Sequence, residues 1–123
     1  MEVKTEVLGT ETEEINGDFV QVRTISINRK QFKFAPLFGG QVNAFFAPDH
    51  TARPGFESVW KTVANAILNA RQRPADADVA ALRDAEVETL GNRLHIPELT
   101  AFHNAVLEFS GLKAASGEVP AAG

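Results

Sequence analysis

The stretch PGFESVWKTVANAILNARQR, residues 54–73, carries the clearest structural signal in the chain. Its large apolar residues recur with the i, i+3, i+4, i+7 spacing that places side chains on one face of an α-helix. This apolar face consists of Phe56, Val59, Trp60, Val63 and Ile67, with Leu68 at its edge. The opposite face carries Lys61, Thr62, Asn65, Asn69 and Gln72. The sequence therefore predicts an amphipathic helix with one buried face and one face in water.

The single tryptophan, Trp60, lies on the apolar face, and its large ring is expected to be mostly buried. Arg71 and Arg73 suit the C-terminal end of a helix, where positive charge is favourable, and Pro74 ends the run. We expect the core around Trp60 to include apolar residues of this helix and of a later one. These residues are Val59, Val63, Ile67, Leu99, Phe102, Val106 and Phe109.

Two further helical patterns follow. Asp76 or Asp78 is expected to cap the first of them, and Gly91-Asn92 is typical of its end. Its weaker apolar stripe consists of Val79, Leu82, Ala85 or Glu86, and Leu90. The last helix has Pro97 at its favoured first position and ends at Gly111. Connections of only a few residues predict that the helices form an antiparallel cluster.

The N-terminal third has the character of β-strands. Residues 2–7 alternate charged residues with valine or threonine, and residues 19–27 are rich in β-branched residues. Asn16-Gly17 favours a two-residue type I′ hairpin turn, and the acidic run 11–14 fits a strand or a loop. Residues 28–40, NRKQFKFAPLFGG, fit a strand, a helix or a loop. The sequence predicts a β-hairpin or a small meander, and a short helix follows at residues 41–47.

These patterns together predict an α+β fold that is mainly α. An N-terminal β-hairpin or small meander precedes a compact cluster of three to four helices. We expect one folded domain over residues 1–112, β-rich at 1–34 and helical at 41–112. Residues 113–123, KAASGEVPAAG, are small, polar and without pattern, and they are predicted to form a flexible tail.

Composition argues against several classes of function. A chain of 123 residues is long enough for one modest core. Its net charge of −4 argues against nucleic-acid binding, which needs a basic face. No apolar run approaches the roughly 18 residues that span a bilayer, and we expect neither a membrane segment nor a signal peptide. Without cysteine the chain forms no disulfide and no thiolate metal site, and a cytosolic location is expected.

No residue pattern predicts catalysis or a cofactor. His95 and His103 lack the spacing of a helical metal-binding pair, and nothing pairs with His50. The helical glutamates are expected to face water and show no catalytic pairing. These glutamates are Glu57, Glu86, Glu88, Glu98 and Glu108. We therefore expect that the protein is not an enzyme and that it has no catalytic residues, no metal and no cofactor.

The candidate site is a run of phenylalanines beside the main basic concentration. Five rings fall within residues 32–46, and the basic residues lie at and just before the start of this run. The rings are Phe32, Phe34, Phe38, Phe45 and Phe46, and the basic residues are Arg23, Arg29, Lys30 and Lys33. One interpretation is a loop that buries the rings together in the core. The other is a partner-binding groove or a self-association patch.

The second interpretation makes all five phenylalanines, together with Arg29, Lys30 and Lys33, candidate partner-binding residues. It predicts that at least two rings are exposed or buried between subunits, and that the protein is a homo-oligomer. Basic residues interleaved with aromatic ones could also stack single-stranded nucleic acid. With the acidic net charge, the usual explanation is a solvated strand face or a site for an acidic partner.

The order of features resembles the tail assembly chaperones of long-tailed phages. The likeness lies in VQVRTISINRKQFKFAPLF, residues 20–38, and in the helices FESVWKTVANAIL, residues 56–68, and ELTAFHNAVLEFSGL, residues 98–112. The resemblance implies a non-enzymatic protein that binds the tape-measure protein while tail tube subunits assemble. It also implies a location in the host cytoplasm, absence from the mature virion, and a longer form made by ribosomal frameshifting.

Three other classes of function remain open. One is a different phage structural part, such as a head–tail joining or tail-completion protein. Another is a small adaptor that binds a helix of its partner in a groove. The third is an enzyme with a carboxylate site that the sequence does not reveal.

Overall fold

The computed structural model describes residues 2–41 and 56–112. Three strands come first: β1 is Thr5–Ile15, β2 is Asp18–Ile27 and β3 is Lys30–Phe34. Three helices follow: α1 is Phe56–Asn69, α2 is Val79–Gly91 and α3 is Ile96–Phe109. The strands form one antiparallel sheet in the order β1-β2-β3. The predicted α+β, mainly α architecture is confirmed.

Parts of the prediction fall beyond the described residues. The short helix expected at 41–47 lies outside them apart from Gln41, and so does the flexible tail expected at 113–123. Within the open stretch 28–40 the chain makes a turn, then β3, then a segment without regular structure to Phe38. The alternation of Phe32 and Phe34 with polar residues was therefore the relevant pattern there.

Two tight turns with positive φ connect the strands. Asn16 and Gly17 have φ of 52° and 87°, as the predicted type I′ turn requires. Asn28 and Arg29 have φ of 47° and 72° in the second turn. This turn was not predicted from the sequence, because neither of its two residues is glycine. The Asn28 side chain accepts a hydrogen bond from the Lys4 backbone N–H at 2.8 Å, which ties this turn to the start of the chain.

Helix α1 is buried on more than one side, so the predicted water-facing side is wrong for three of its five residues, whereas Gln72 is exposed as expected. Thr62, Asn65 and Asn69 are all buried, because α1 contacts β3, α2 and α3. The Asn69 side chain donates to the Pro36 carbonyl at 3.0 Å and to Gln41 Oε1 at 2.8 Å. A buried amide with such partners costs little, which explains how polar residues occupy the core side of a helix.

The main core joins the sheet to α1 and α3. The expected core residues are all present in it or packed against it. Val63, Ile67, Leu99, Phe102 and Val106 are buried, whereas Val59, Trp60 and Phe109 are partly buried at its margin. Ile25, Ile27, Phe32 and Phe34 complete it from the sheet. Trp60 therefore belongs to the edge of the core, not to its centre.

The stripe predicted for α2 is only partly correct. Leu90 is buried as expected, but Val79 and Leu82 are exposed. Glu86 was expected to face water and is instead buried, because the Arg71 guanidinium pairs with it at 2.6 Å. An ion pair of this kind permits a carboxylate on the inner face of a helix.

The ends of the helices follow local rules that the sequence shows. Asp78 caps α2, with its carboxylate accepting from the Ala81 N–H at 3.1 Å. Beyond α3, Gly111 has φ of 79°, and the Leu112 N–H donates to the Leu107 carbonyl at 2.7 Å. This is the Schellman arrangement, in which a left-handed residue closes the helix.

The tip of the β1–β2 hairpin docks on the chain just beyond α1. The Asn16 N–H donates to Gln72 Oε1 at 2.8 Å, and Gln72 Nε2 donates to the Glu14 carbonyl at 2.8 Å. A small apolar cluster of Ile15, Val22, Ala35 and Ala70 lies beside these contacts. The hairpin is therefore held at its turn by these contacts, in addition to the pairing of β2 with β3.

Candidate partner-binding surface

The phenylalanine run divides between the core and the surface. Phe32 and Phe34 are buried, with ring centroids 4.9 Å and 5.5 Å from that of Phe102. Phe34 also meets Phe109 edge-on at 5.4 Å. As the chain is folded here, Phe32 and Phe34 offer no surface to a partner, and this corrects their assignment as partner-binding residues. They occupy the core because both side chains point from β3 towards α3.

Phe38 is the exposed member of the run within the described residues, at 53%. Its backbone is held firmly, because its N–H donates to Gln41 Oε1 at 2.8 Å and the Leu37 N–H donates to Ser110 Oγ at 3.0 Å. Phe45 and Phe46 lie outside the described residues. The expectation that at least two of the five rings are exposed or lie between subunits therefore stays a prediction.

The basic candidates differ from one another in their surroundings. Arg29 is exposed in the β2–β3 turn. Lys33 pairs with Glu13 at 2.9 Å across the outer face of the sheet. Lys30 donates to both carboxylate oxygens of Glu98, at 2.8 Å and 2.9 Å. Lys30 and Lys33 therefore have internal partners, and Arg29 is the candidate whose charge is presented to solvent.

Glu98 is a buried carboxylate, which contradicts its expected position in water. Burial by itself would raise its pKa, but hydrogen bonds from Lys30, from the His95 N–H and from Asn28 outweigh this effect. Together with the Lys30 charge they lower the pKa of Glu98 to about 2. This cluster joins the β2–β3 turn to the start of α3, and its geometry indicates a structural role.

The sequence did not indicate the openness of the sheet around β1. Val7 and Leu8 are 55% and 45% exposed, and Phe19 on the neighbouring strand is 78% exposed. Within the described residues, α1 packs on β3 and α3 packs on β2, and no helix covers this part of the sheet. The alternation in residues 2–7 correctly predicted a strand, but alternation alone does not show which part of a sheet remains uncovered.

A cleft of about 300 Å³ lies between β1 and α3. Val7 faces Ile25 across the strands, and Ala101 and Ala105 stand one turn apart on the helix side. The small alanine side chains keep that wall low. Thr5, Arg23, Asn104 and Glu108 complete the lining. The cleft thus has an apolar floor and a polar rim, which is the usual anatomy of a protein-binding site.

Arg23 is held rigidly at this cleft. Its guanidinium carbon lies 4.2 Å from the centroid of the Phe109 ring, and its Nε donates to Thr10 Oγ1 at 3.0 Å. A cation above an aromatic face is favourable, and this contact holds the arginine against Phe109 at the rim of the cleft.

His103 is a mostly buried histidine of α3. Burial lowers the pKa of His103 to about 4, so it is neutral near pH 7. Within residues 2–41 and 56–112, no three His, Asp or Glu side chains are grouped as a metal site would require. None of the helices in that part of the chain is long and apolar enough to cross a membrane. His50, the remaining histidine, lies outside the described residues.

Comparison with known proteins gives no relative. No protein-family model, no curated protein and no solved structure matches the chain. Function is therefore inferred from the surface and from the resemblance in the order of elements.

Proposed function

We propose that this protein is a non-enzymatic tail assembly chaperone of a long-tailed phage. It binds the tape-measure protein in the host cytoplasm while tail tube subunits assemble, and it is absent from the mature virion. The observation that supports this most directly is the cleft between β1 and α3, with its exposed Val7 and small alanine wall. An apolar site without catalytic machinery suits a chaperone of an elongated helical client.

The cleft suits a helix better than a small molecule. A client helix laid beside α3 would cover β1 in the way that α1 and α3 already cover the rest of the sheet. Small residues at Ala101 and Ala105 permit close approach of the two helices, and the exposed Val7 would meet the apolar stripe of the client. Self-association through the exposed Phe38 is part of the proposal, because an exposed aromatic side chain gains free energy when a second copy covers it.

Co-expression with the tape-measure protein of the same phage tests the proposal. Val7→Glu places a charge in the cleft and should lower the soluble fraction of the tape-measure protein several-fold. Val79→Glu is the matched control, since Val79 is also an exposed valine but lies on α2, away from the cleft. We expect this control to keep the client soluble to the same extent as the unmodified protein.

Two results would overturn the proposal. One is a tape-measure protein that is equally soluble with either variant or with no chaperone. The other is the presence of this chain in purified virions at stoichiometric level by mass spectrometry, which would identify a head–tail joining or tail-completion protein.

The same cleft favours a small helix-binding adaptor as the second candidate, and that function predicts capture of a helical partner other than the tape-measure protein.

A further inference from the structure

The outer edge of β1 is a second surface with the features of a binding site. β1 has eleven residues and forms one end of the sheet, so one of its edges has no strand partner within the described residues. Nine of the eleven residues are exposed. Such an edge presents a row of backbone N–H and C=O groups that can pair with another extended chain.

A β-bulge in β1 changes which of its side chains lie on the same face of the sheet. The register skips between Val7 and Gly9, which leaves Leu8 without a partner on β2. As a result Glu6 and Glu11 lie on the same face, although an odd spacing in a regular strand would separate them. Glu13 shares that face, as its pairing with Val20 shows. The opposite face carries Thr5, Val7, Thr10 and Thr12, with Glu14 at the turn end of the strand.

The acidic face of β1 is only partly compensated by positive charge. The strand has no lysine or arginine. Glu13 pairs with Lys33 at 2.9 Å, but Glu6 and Glu11 have no ion-pair partner among the described residues. A second copy that paired through the same edge would bring two acidic rows together, and like charges on adjacent strands are destabilising. The charge pattern therefore favours a basic strand over a second β1.

We propose that the outer edge of β1 binds an extended basic segment of a partner polypeptide as a fourth strand. Lysine or arginine side chains of that segment lie next to Glu6 and Glu11, and its alternate apolar or β-branched side chains lie next to Val7 and the threonines. Backbone pairing supplies the affinity and the alternation supplies the specificity. This mode differs from helix binding in the cleft and does not depend on the identity of the client.

A designed peptide, TKVKVTVKT, is the probe. In antiparallel pairing that leaves Leu8 unpaired, as on the β2 side, its three lysines lie opposite Glu6, Glu11 and Glu13. Its sixth residue, a threonine, then lies opposite Gly9. We expect the fluorescein-labelled peptide to bind the full-length protein in fluorescence anisotropy, and the glutamate version TEVEVTVET not to bind. The double variant Glu6→Lys and Glu11→Lys should weaken binding of the lysine peptide about tenfold, because two attractive cross-strand pairs become repulsive.

Two controls separate strand addition from general charge attraction. Glu88→Lys makes the same kind of charge change at an exposed position of α2 and should leave the affinity within about twofold, since exposed charges at a distance are screened. N-methylation of alternate peptide residues should abolish binding when the methylated set faces β1 and should spare it when that set faces away.

Each remaining outcome overturns the inference. The first is that the lysine peptide does not bind. The second is that the double variant keeps full affinity while circular dichroism shows it to be folded, and the third is that both methylated peptides bind equally. Any of these results would show that β1 does not accept a strand. Because the probe is a peptide, the result is independent of the tape-measure experiment.

Discussion

Helix α1 has neighbours on several sides, whereas strand β1 has a neighbour along one edge. Residues 62–70, which include most of the second half of α1, are all buried, and they include two asparagines and a threonine. Among the described residues β1 pairs with β2 alone, and Val7 and Leu8 on it are exposed. The surroundings of an element therefore decide which side chains are buried, provided that buried polar groups find partners. Asn69 is buried because Pro36 and Gln41 satisfy its amide.

The comparison predicts very different costs for deleting two phenylalanine rings. Phe34→Ala removes a fully buried ring that contacts Phe102 and Phe109, and it should lower the free energy of unfolding by roughly 3–5 kcal/mol. Phe19→Ala, beside β1, removes an exposed ring and should change it by no more than about 0.5 kcal/mol.

Urea unfolding followed by circular dichroism measures both values. Similar losses in the two variants would contradict the contrast, because they would mean that Phe19 is covered in the folded protein. A loss in Phe19→Ala that depended on protein concentration would instead place this ring between subunits.

What the sequence predicts well is local. The Asn16-Gly17 turn, the Asp78 cap and the closing Gly111 each depend on residues within a few positions, and all three are confirmed. The burial of Glu98 was not predictable in this way, since its partner Lys30 is 68 residues away. A pattern along one helix shows that a face is apolar, but the elements that cover its other face come from elsewhere in the chain.

The candidate site shows the same limit. Alternation identified the strand that holds Phe32 and Phe34, but not that its phenylalanine face would meet α3. The exposure of β1 was not predicted, because the sequence of a strand does not show whether a helix covers it. Among the described residues no helix covers this part of the sheet. Exposed Val7 became recognisable as part of a cleft only beside Ala101 and Ala105 of α3.

Acid unfolding tests the stabilisation that the buried Glu98 carboxylate supplies. The pKa of Glu98 is lowered from 4.5 to about 2 in the folded protein. The stabilisation that this carboxylate supplies is therefore complete above pH 4.5 and is lost as the pH falls towards 2, because the unfolded state then binds the proton more readily. Glu98→Gln should cost roughly 1.5–3 kcal/mol near pH 7, since the partly exposed Lys30 loses a charged hydrogen-bond partner. It should also flatten this acid limb.

His103 contributes in a separate range. Burial lowers its pKa from 6.5 to about 4, so its contribution is lost as the pH falls from 6.5 to 4. Unfolding free energies at several pH values check both ranges, with Glu11→Gln as the control that should leave the acid limb unchanged. An equal flattening by Glu11→Gln would mean that the exposed glutamates, not Glu98, set the acid sensitivity.

The two turns that border β2 differ in one residue type, and this gives the smallest expected effect. Arg29 has φ of 72°, a conformation that costs an L-residue about 1 kcal/mol, whereas Gly17 has φ of 87° without that cost. Arg29→Gly should relieve the strain but should also increase the entropy of the unfolded chain, so the net gain should not exceed about 0.5 kcal/mol. Gly17→Ala should lose about 1 kcal/mol, because it introduces the strain that Arg29 already has. Thermal unfolding of both variants measures the pair. A clear loss of stability in Arg29→Gly would show that the arginine side chain has a stabilising contact in the folded protein, which its exposed position does not predict.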